Sequence, residues 1–321
     1  MTSKPRPTEI EESPLPARAR TRHFGAVVVI LLALLLARNV AQNPNFQWNV
    51  VVKYLTAPVI LEGLRVTVAL TAAVMVLAIV LGILLAIMRT SSSPVLRYSS
   101  VFYIWLFRGV PALVQLLIWF NLASLYPTFS IEIPFGPVLY TVNANDVVTP
   151  WTAAVLGLGL CEAAYMAEIV RAGILSIDNG QSDAARALGM HRTLTLRRII
   201  LPQALRVIVP PTGNETIGML KYTSIASVIS VNELLSSAEI VYSRTFEVIP
   251  LLLSASVWYL ICTSALTIVQ YFIEEHYGRS VSRKENGLVP AVLTAVMTRL
   301  GRKRAGPAPH SFEQPRQEAE S

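Results

Sequence analysis

Charge is scarce in this 321-residue chain: 15% of its residues are Asp, Glu, Lys or Arg, against 53% that are hydrophobic. Soluble domains carry about 25% charged residues, so the scarcity points to a membrane protein, for which the usual length-per-domain prior does not hold. Cysteine is scarcer still. Cys161 and Cys262 are the only two; both fall in apolar runs, read as packing residues, and give little support to a disulfide. The four histidines, His23, His191, His276 and His310, are scattered without metal-ligand spacing. None of the five lysines (Lys4, Lys53, Lys221, Lys284, Lys303) follows a glycine, so the phosphate-cradling GxxxxGK[ST] loop is missing. With no nucleophile–base pair, metal cluster or phosphate loop visible, the chain does not read as an enzyme, and neither cofactor nor metal is expected.

Long apolar runs are present instead. Six windows, at about 24–41, 66–88, 101–125, 151–175, 207–231 and 248–273, meet the length of about 17–25 residues that a spanning helix needs. Basic residues set the orientation. With the N-terminus inside, the inner segments hold Arg18, Arg20, Arg22, Arg89, Arg97, Arg171, Arg186, Arg192, Arg197, Arg198, Arg206 and more, including eight beyond residue 278. The outer segments and span ends hold only Arg38, Lys53, Arg65 and Arg244, and the stretch 126–150 has no basic residue. Positive charge collects on the cytoplasmic side, so the expectation is an all-α membrane protein of six transmembrane helices with both termini inside. The net charge of +7 is then a topology signal, and no nucleic-acid partner is expected.

Outside the spans, residues 1–23 are Pro-rich, Arg-rich and polar, and read as a disordered cytoplasmic leader to an additional N-terminal helix at 24–41. Residues 42–60 read as an outer connection, with Trp48 and Tyr54 as interface candidates. The tail 279–321 reads as largely disordered, apart from Gly287–Leu300, a short amphipathic segment that could lie against anionic lipid or be weakly ordered.

One polar segment stands apart. Ser182–Pro202, SDAARALGMHRTLTLRRIILP, is Arg-rich and set between apolar runs. Asn179-Gly180 signals a turn, Ser182 can cap a first helical piece, and Gly189 sits where a left-handed residue would end it. Thr193 can cap a second piece, which should stop near Pro202. If ATP drives the protein, a separate subunit hydrolyses it and pushes on this surface.

The segment resembles the EAA loop of the permease subunits of bacterial ABC importers. Asp183-Ala184-Ala185, three residues, Gly189, nine residues, Ile199, one residue and Leu201-Pro202 match its spacing in full, with Asp183 replacing the usual Glu. The stretches LEGLRVTV (61–68), FRGVPALVQL (107–116), AYMAEIVRAGI (164–174), LPQALR (201–206) and KYTS (221–224) are similar to the polar amino-acid branch, which takes up histidine, glutamate, glutamine, arginine and opines. Tyr222 departs from the acidic residue that many members carry after the lysine. The resemblance covers about 60–276 and implies a five-helix type I importer permease core, with the helix at 24–41 as an addition. It also implies partners: two ATPase subunits, a second permease protomer identical or related, and an extracytoplasmic binding protein that delivers the amino acid. The loop at 180–202 would then couple to the ATPase, with Ala184, Ala185 and Leu188 as a small apolar face, Asp183 and the arginines setting register, and Gly189 allowing a tight bend. Ile199, Leu201 and Pro202 complete the coupling motif.

Polar groups inside spans are costly and so are functional candidates. Glu162, midway along the fourth span, faces a path or is satisfied by a neighbouring helix. Glu168 and Arg171 share a helical face and can pair near the inner surface. The fifth span is the most polar: Pro210-Pro211 and Gly213 should interrupt or kink it, and Asn214, Glu215, Lys221, Thr223 and Ser224 follow. Glu215 and Lys221 do not share a face. Arg108, beside Pro111, could snorkel at the inner boundary, and Gln115 could line a path. Competing readings are a same-architecture permease for an opine or quaternary amine, a gradient-driven transporter or channel acting alone, and a membrane scaffold or sensor.

Overall fold

In the computed structural model, residues 19–133 and 137–278 are described. Most of the leader expected over 1–23, and the tail 279–321 with its 287–300 segment, lie outside the described residues.

The chain starts with α1 (Ala19–Gln42), a 3-10 turn (Pro44–Phe46) and α2 (Trp48–Leu55). The long α3 (Pro58–Arg89) follows, then α4 (Pro94–Gly109), α5 (Ala112–Phe120) and the single turn α6 (Leu122–Leu125). A hairpin of β1 (Thr128–Glu132) and β2 (Val138–Asn143) leads through α7 (Ala144–Val147) to α8 (Pro150–Leu175). Next come α9 (Asn179–Ala187), α10 (Arg192–Thr195), a π turn (Leu196–Ile200) and α11 (Leu201–Tyr222). A 3-10 segment (Thr223–Ile229), α12 (Leu234–Thr245) and α13 (Val248–Gly278) complete the order. Three helices, α3, α8 and α13, are each long and apolar enough to cross a membrane; the number reaches six if each of three bent pairs is one span.

Several sequence expectations change here. The fold is mostly helical rather than all-α, because the stretch 126–150 folds as an antiparallel hairpin with Thr128 opposite Asn143. The segment 42–60, expected as an outer connection, is largely helical: Trp48 stacks on Phe46 at 5.5 Å and donates to the Val40 carbonyl at 3.1 Å. The window 101–125 is broken: α4 and α5 are bent by 100°, and the single turn α6 follows. Pro111 has no N–H for the helix ladder and drives Val110 into an extended conformation (φ −101°, ψ 133°). The expected interruption at Pro210-Pro211 and Gly213 does not occur, since α11 runs through all three. Side chains support its backbone instead: Gln270 Nε2 donates to the Pro210 carbonyl and Thr212 Oγ1 to the Ile208 carbonyl, both at 2.8 Å. Gly213 is a site of close approach, where an added Cβ would meet the Gln270 side chain, with Cδ at 2.5 Å.

The described residues form two compact units. One contains the chain up to Val68 with Ala226–Leu260. Its core is Ile60, Leu234, Ala238, Leu251 and Ala255. The fully buried Glu233 caps α12, accepting from the amides of Leu235 (2.9 Å) and Ser236 (2.7 Å) and from the Tyr259 hydroxyl (2.8 Å). A buried carboxylate is costly unless so satisfied. Trp258 Nε1 donates to the Leu55 carbonyl (2.9 Å) and Ser254 Oγ to that of Val51 (3.1 Å), which ties α13 to α2.

The other unit contains Ala69–Ile225 and the chain from Ile261. Helix α8 is its axis: 67% of its most apolar stretch is buried, against 11% for α13. Small residues on α8 let its neighbours come close, as membrane helix packing favours. A Cβ on Gly157 would stand 3.0 Å from Leu116 Cα, and one on Gly159 would stand 2.7 Å from the Leu77 side chain. Ala163, Ala164 and Ala167 pack on Leu85 and Ile104; Val170 packs on Ala86, Ala204 and Ile208. Glu168 holds the end of this contact, paired with Arg171 at 2.7 Å, as the sequence spacing allows, and with Arg89 at 3.5 Å.

Candidate functional site

Two features of the second unit are the candidates for function. The first is a cavity of about 550 Å³ between the α4–α5 break, α8 and α11. Helix α8 gives it Leu158, Cys161, Glu162 and Tyr165; α11 gives it Glu215, Gly218, Met219 and Tyr222. Each set follows the spacing of one helical face, so the two faces meet across the space. Arg108 comes from the break, its guanidinium over the Tyr165 ring at 4.9 Å. The lining thus holds one basic side chain, Arg108, and two carboxyl groups, Glu162 and Glu215. Such groups inside spanning helices are placed for use or for pairing.

Of the six path candidates, the structure brings two, Glu162 and Glu215, to this cavity. Asn214 and Lys221 are exposed elsewhere on α11, and the buried Thr223 donates to the Leu220 carbonyl at 2.8 Å. Asn214 and Lys221 are one and six positions from Glu215, off its face, and Thr223 begins the 3-10 segment that follows α11. Gln115 is buried one turn into α5, beside the break, and is not in the lining. Arg108, read as a residue that could snorkel at the inner boundary, also lines the cavity. Tyr165 and Tyr222 were not among the path candidates, Tyr222 having been read only as a departure from the family pattern; their signal was the shared spacing 158/161/162/165 and 215/218/219/222.

The second feature is the loop 180–202. The cap of α9 is Asp178, whose carboxylate accepts from the Gly180 amide at 2.7 Å, not Ser182, which lies inside the helix. Asn179-Gly180 is accordingly the first helical turn. Gly189 closes α9 at φ +74°. The Met190 amide donates to the Ala185 carbonyl (3.0 Å) and the Gly189 amide to that of Arg186 (2.9 Å), the two bonds of a Schellman motif. Asp183 pairs with Arg186. Ala185 is buried, while Ala184 is exposed and Leu188, at the tip, is 80% exposed; the expected face of Ala184, Ala185 and Leu188 is therefore divided. The cap of α10 is His191, through Nδ1 and the Leu194 amide (3.4 Å), rather than Thr193. Pro202 does not stop the second piece. It sits in the first turn of α11, where a proline is tolerated, and the π turn Leu196–Ile200 carries the helical path into it, with Ile199 half-buried and Leu201 exposed. Among the described residues no group of His, Cys, Asp and Glu could hold a metal ion.

Residues 78–283 match the family model of the binding-protein-dependent transport system inner membrane component. The chain belongs to this family. It is a permease subunit of an ABC importer, a multi-pass membrane protein whose family role is transport rather than catalysis. The chain is 42% identical over 285 residues to an arginine transport system permease protein of Corynebacterium glutamicum, which covers 88% of this chain and 87% of that protein. It is 34% identical to an L-cystine transport system permease protein of Bacillus subtilis, over 70% of this chain and 89% of the relative. Among solved structures, an amino acid ABC transporter determined with histidines is similar, with TM-score 0.59, 34% identity and 70% and 96% of the two chains covered. A methionine ABC transporter in inward-facing conformations (TM-score 0.55, 18% identity, 68% and 96% covered) shares the fold.

Proposed function

We propose that this permease moves a cationic amino acid, of the arginine, lysine and ornithine type, through the cavity between α8 and α11. The observation that carries the reading is the lining of that cavity: Arg108 on one side, Glu162 and Glu215 among the rest. A zwitterion needs a cation for its carboxylate and an anion for its ammonium. A solute with a second basic group needs a second acidic partner, and Glu162 and Glu215 supply the pair. Tyr165 and Tyr222 add aromatic faces suited to a guanidinium or ammonium. The 42% identity to a relative named for arginine transport supports the same class.

In this reading the membrane domain spans about 60–276, after the additional helix at 24–41. The six windows are six spans, the bent pairs counting as one each, with both termini inside an inner membrane. Two protomers, identical or related, enclose the path, an extracytoplasmic binding protein delivers the solute, and two ATPase subunits dock on the loop 180–202. Asp183, Ala184, Leu188 and Gly189 form the contact, while Ala185, Ile199, Leu201 and Pro202 tie it to α11. Closure of the ATPases moves α9 and, through the continuous helical path from Arg192, biases α11 between inward- and outward-facing states.

The test is ATP hydrolysis by the purified permease–ATPase complex with its binding protein, over a panel of solutes. Arginine, lysine and ornithine should stimulate it, and Glu215→Gln should lower that stimulation about tenfold or more, the scale of one lost charge contact in a dry site. Stimulation by glutamate or by an opine, with none by arginine, would contradict the charge assignment.

A further inference from the structure

The break that brings Arg108 to the cavity has a chemical problem, and one side chain solves it. In a continuous helix the Phe107 carbonyl accepts from the amide four residues on. That residue is Pro111, which has no N–H. The Val110 carbonyl is also lost to the ladder, because Val110 is extended and the Val114 amide donates to Pro111 instead, at 3.0 Å. Two acceptors are thus left without backbone donors on either side of Arg108, in a span where an unmet backbone group costs several kcal/mol.

Gln115, one turn into α5 and only 6% exposed, meets both. Its Nε2 lies 2.9 Å from the Phe107 carbonyl and 2.8 Å from that of Val110. A carboxamide NH2 carries two hydrogens, one for each. The Cys161 thiol of α8 donates weakly to the same Phe107 carbonyl at 3.6 Å, and the Tyr103 hydroxyl ties α4 to the Leu160 carbonyl of α8 at 2.8 Å. Between the two stapled carbonyls stand only Arg108 and Gly109, and a Cβ on Gly109 would meet nothing within 4 Å. Surrounding side chains therefore do little to fix the chain at Gly109; the Val110 amide, donating to the Leu106 carbonyl at 3.2 Å, and the staple fix this turn together.

The geometry points to Gln115 as a positioning residue. By closing the Phe107–Val110 turn it holds Arg108 over Tyr165, where the guanidinium faces the cavity, and so sets affinity for the solute carboxylate without touching the solute. The inference rests on the cavity being the solute site.

Equilibrium binding of radiolabelled arginine to the purified permease–ATPase complex, with the binding protein omitted, tests it. Four proteins are compared: wild type, Arg108→Gln, Gln115→Leu and the double variant. Arg108→Gln should raise Kd about tenfold or more, and Gln115→Leu, which keeps bulk but loses both donors, should raise it by a similar factor. In the Arg108→Gln background, Gln115→Leu should add less than about twofold, because its effect runs through Arg108. If Gln115→Leu does not assemble, Gln115→Asn takes its place; its amide is one methylene short of spanning both carbonyls, and the same loss of affinity and the same non-additivity are expected. An unchanged Kd in the Gln115 variant, or equal factors in both backgrounds, overturns the positioning role while leaving the cavity reading standing. No binding by wild type, or an unchanged Kd in Arg108→Gln, overturns the cavity reading and this inference with it.

Discussion

Single residues set the geometry of both candidate features, and Gly189 is the sharpest case. Its φ of +74° closes α9 through the two Schellman bonds, and space for a side chain is not the issue, since a Cβ would meet nothing within 4 Å. The cost of substitution is conformational. A β-branched residue in this region loses about 1–2 kcal/mol, whereas Asn visits it readily. Gly189→Val should therefore insert and fold in the membrane but lose most of the copurifying ATPase, and Gly189→Asn should keep most of it. Equal recovery of the ATPase from both variants would separate the loop geometry from docking. The sequence made this residue legible because glycine after a helical run has few other uses. It did not make Asp178 legible as the cap, since Asp178, Asn179 and Ser182 are all competent caps and only the fold selects among them.

At the scale of elements, prolines and glycines were visible but their consequences were not. Pro111 and the Pro210-Pro211 pair look alike in sequence, yet one breaks its helix by 100° and the other leaves its helix continuous. The difference lies in partners distant along the chain: Gln115 rewards the break, and Gln270 supports the unbroken α11 at Pro210. Gly213, which read as a point of weakness, proves to be where Gln270 seats. Gly213→Val should accordingly unseat the Gln270 amide and destabilise the permease by about 1–3 kcal/mol, as overpacking does, seen as a lower melting temperature in detergent. An unchanged melting temperature would mean that the contact contributes nothing. The same partner dependence explains the site. Glu162 and Glu215 were legible as embedded charges, but Asn214, Lys221 and Thr223 carried an equal polarity signal and lie off the cavity face. Tyr165 and Tyr222 became meaningful only once α8 and α11 were seen to present matching faces.

For the whole molecule, composition and the basic residues at span ends sufficed for a membrane protein, and the spacing around Gly189 sufficed for the importer family. The hairpin of β1 and β2 went unread although Pro134, Gly136 and Pro137 stand between its two short runs, because the apolar spans on either side dominate the pattern. The account as a whole says that this chain is the membrane path of an ATP-driven importer for a cationic amino acid, with force entering at the loop 180–202. The most direct measurement is uptake of radiolabelled arginine by proteoliposomes that hold the permease and its ATPase, with binding protein outside and ATP enclosed. The account predicts uptake that needs both ATP and the binding protein, that unlabelled lysine reduces and that glutamate does not. Arginine uptake that proceeds without ATP or the ATPase subunit, or ATP-driven uptake of other amino acids from which arginine is excluded, would contradict it.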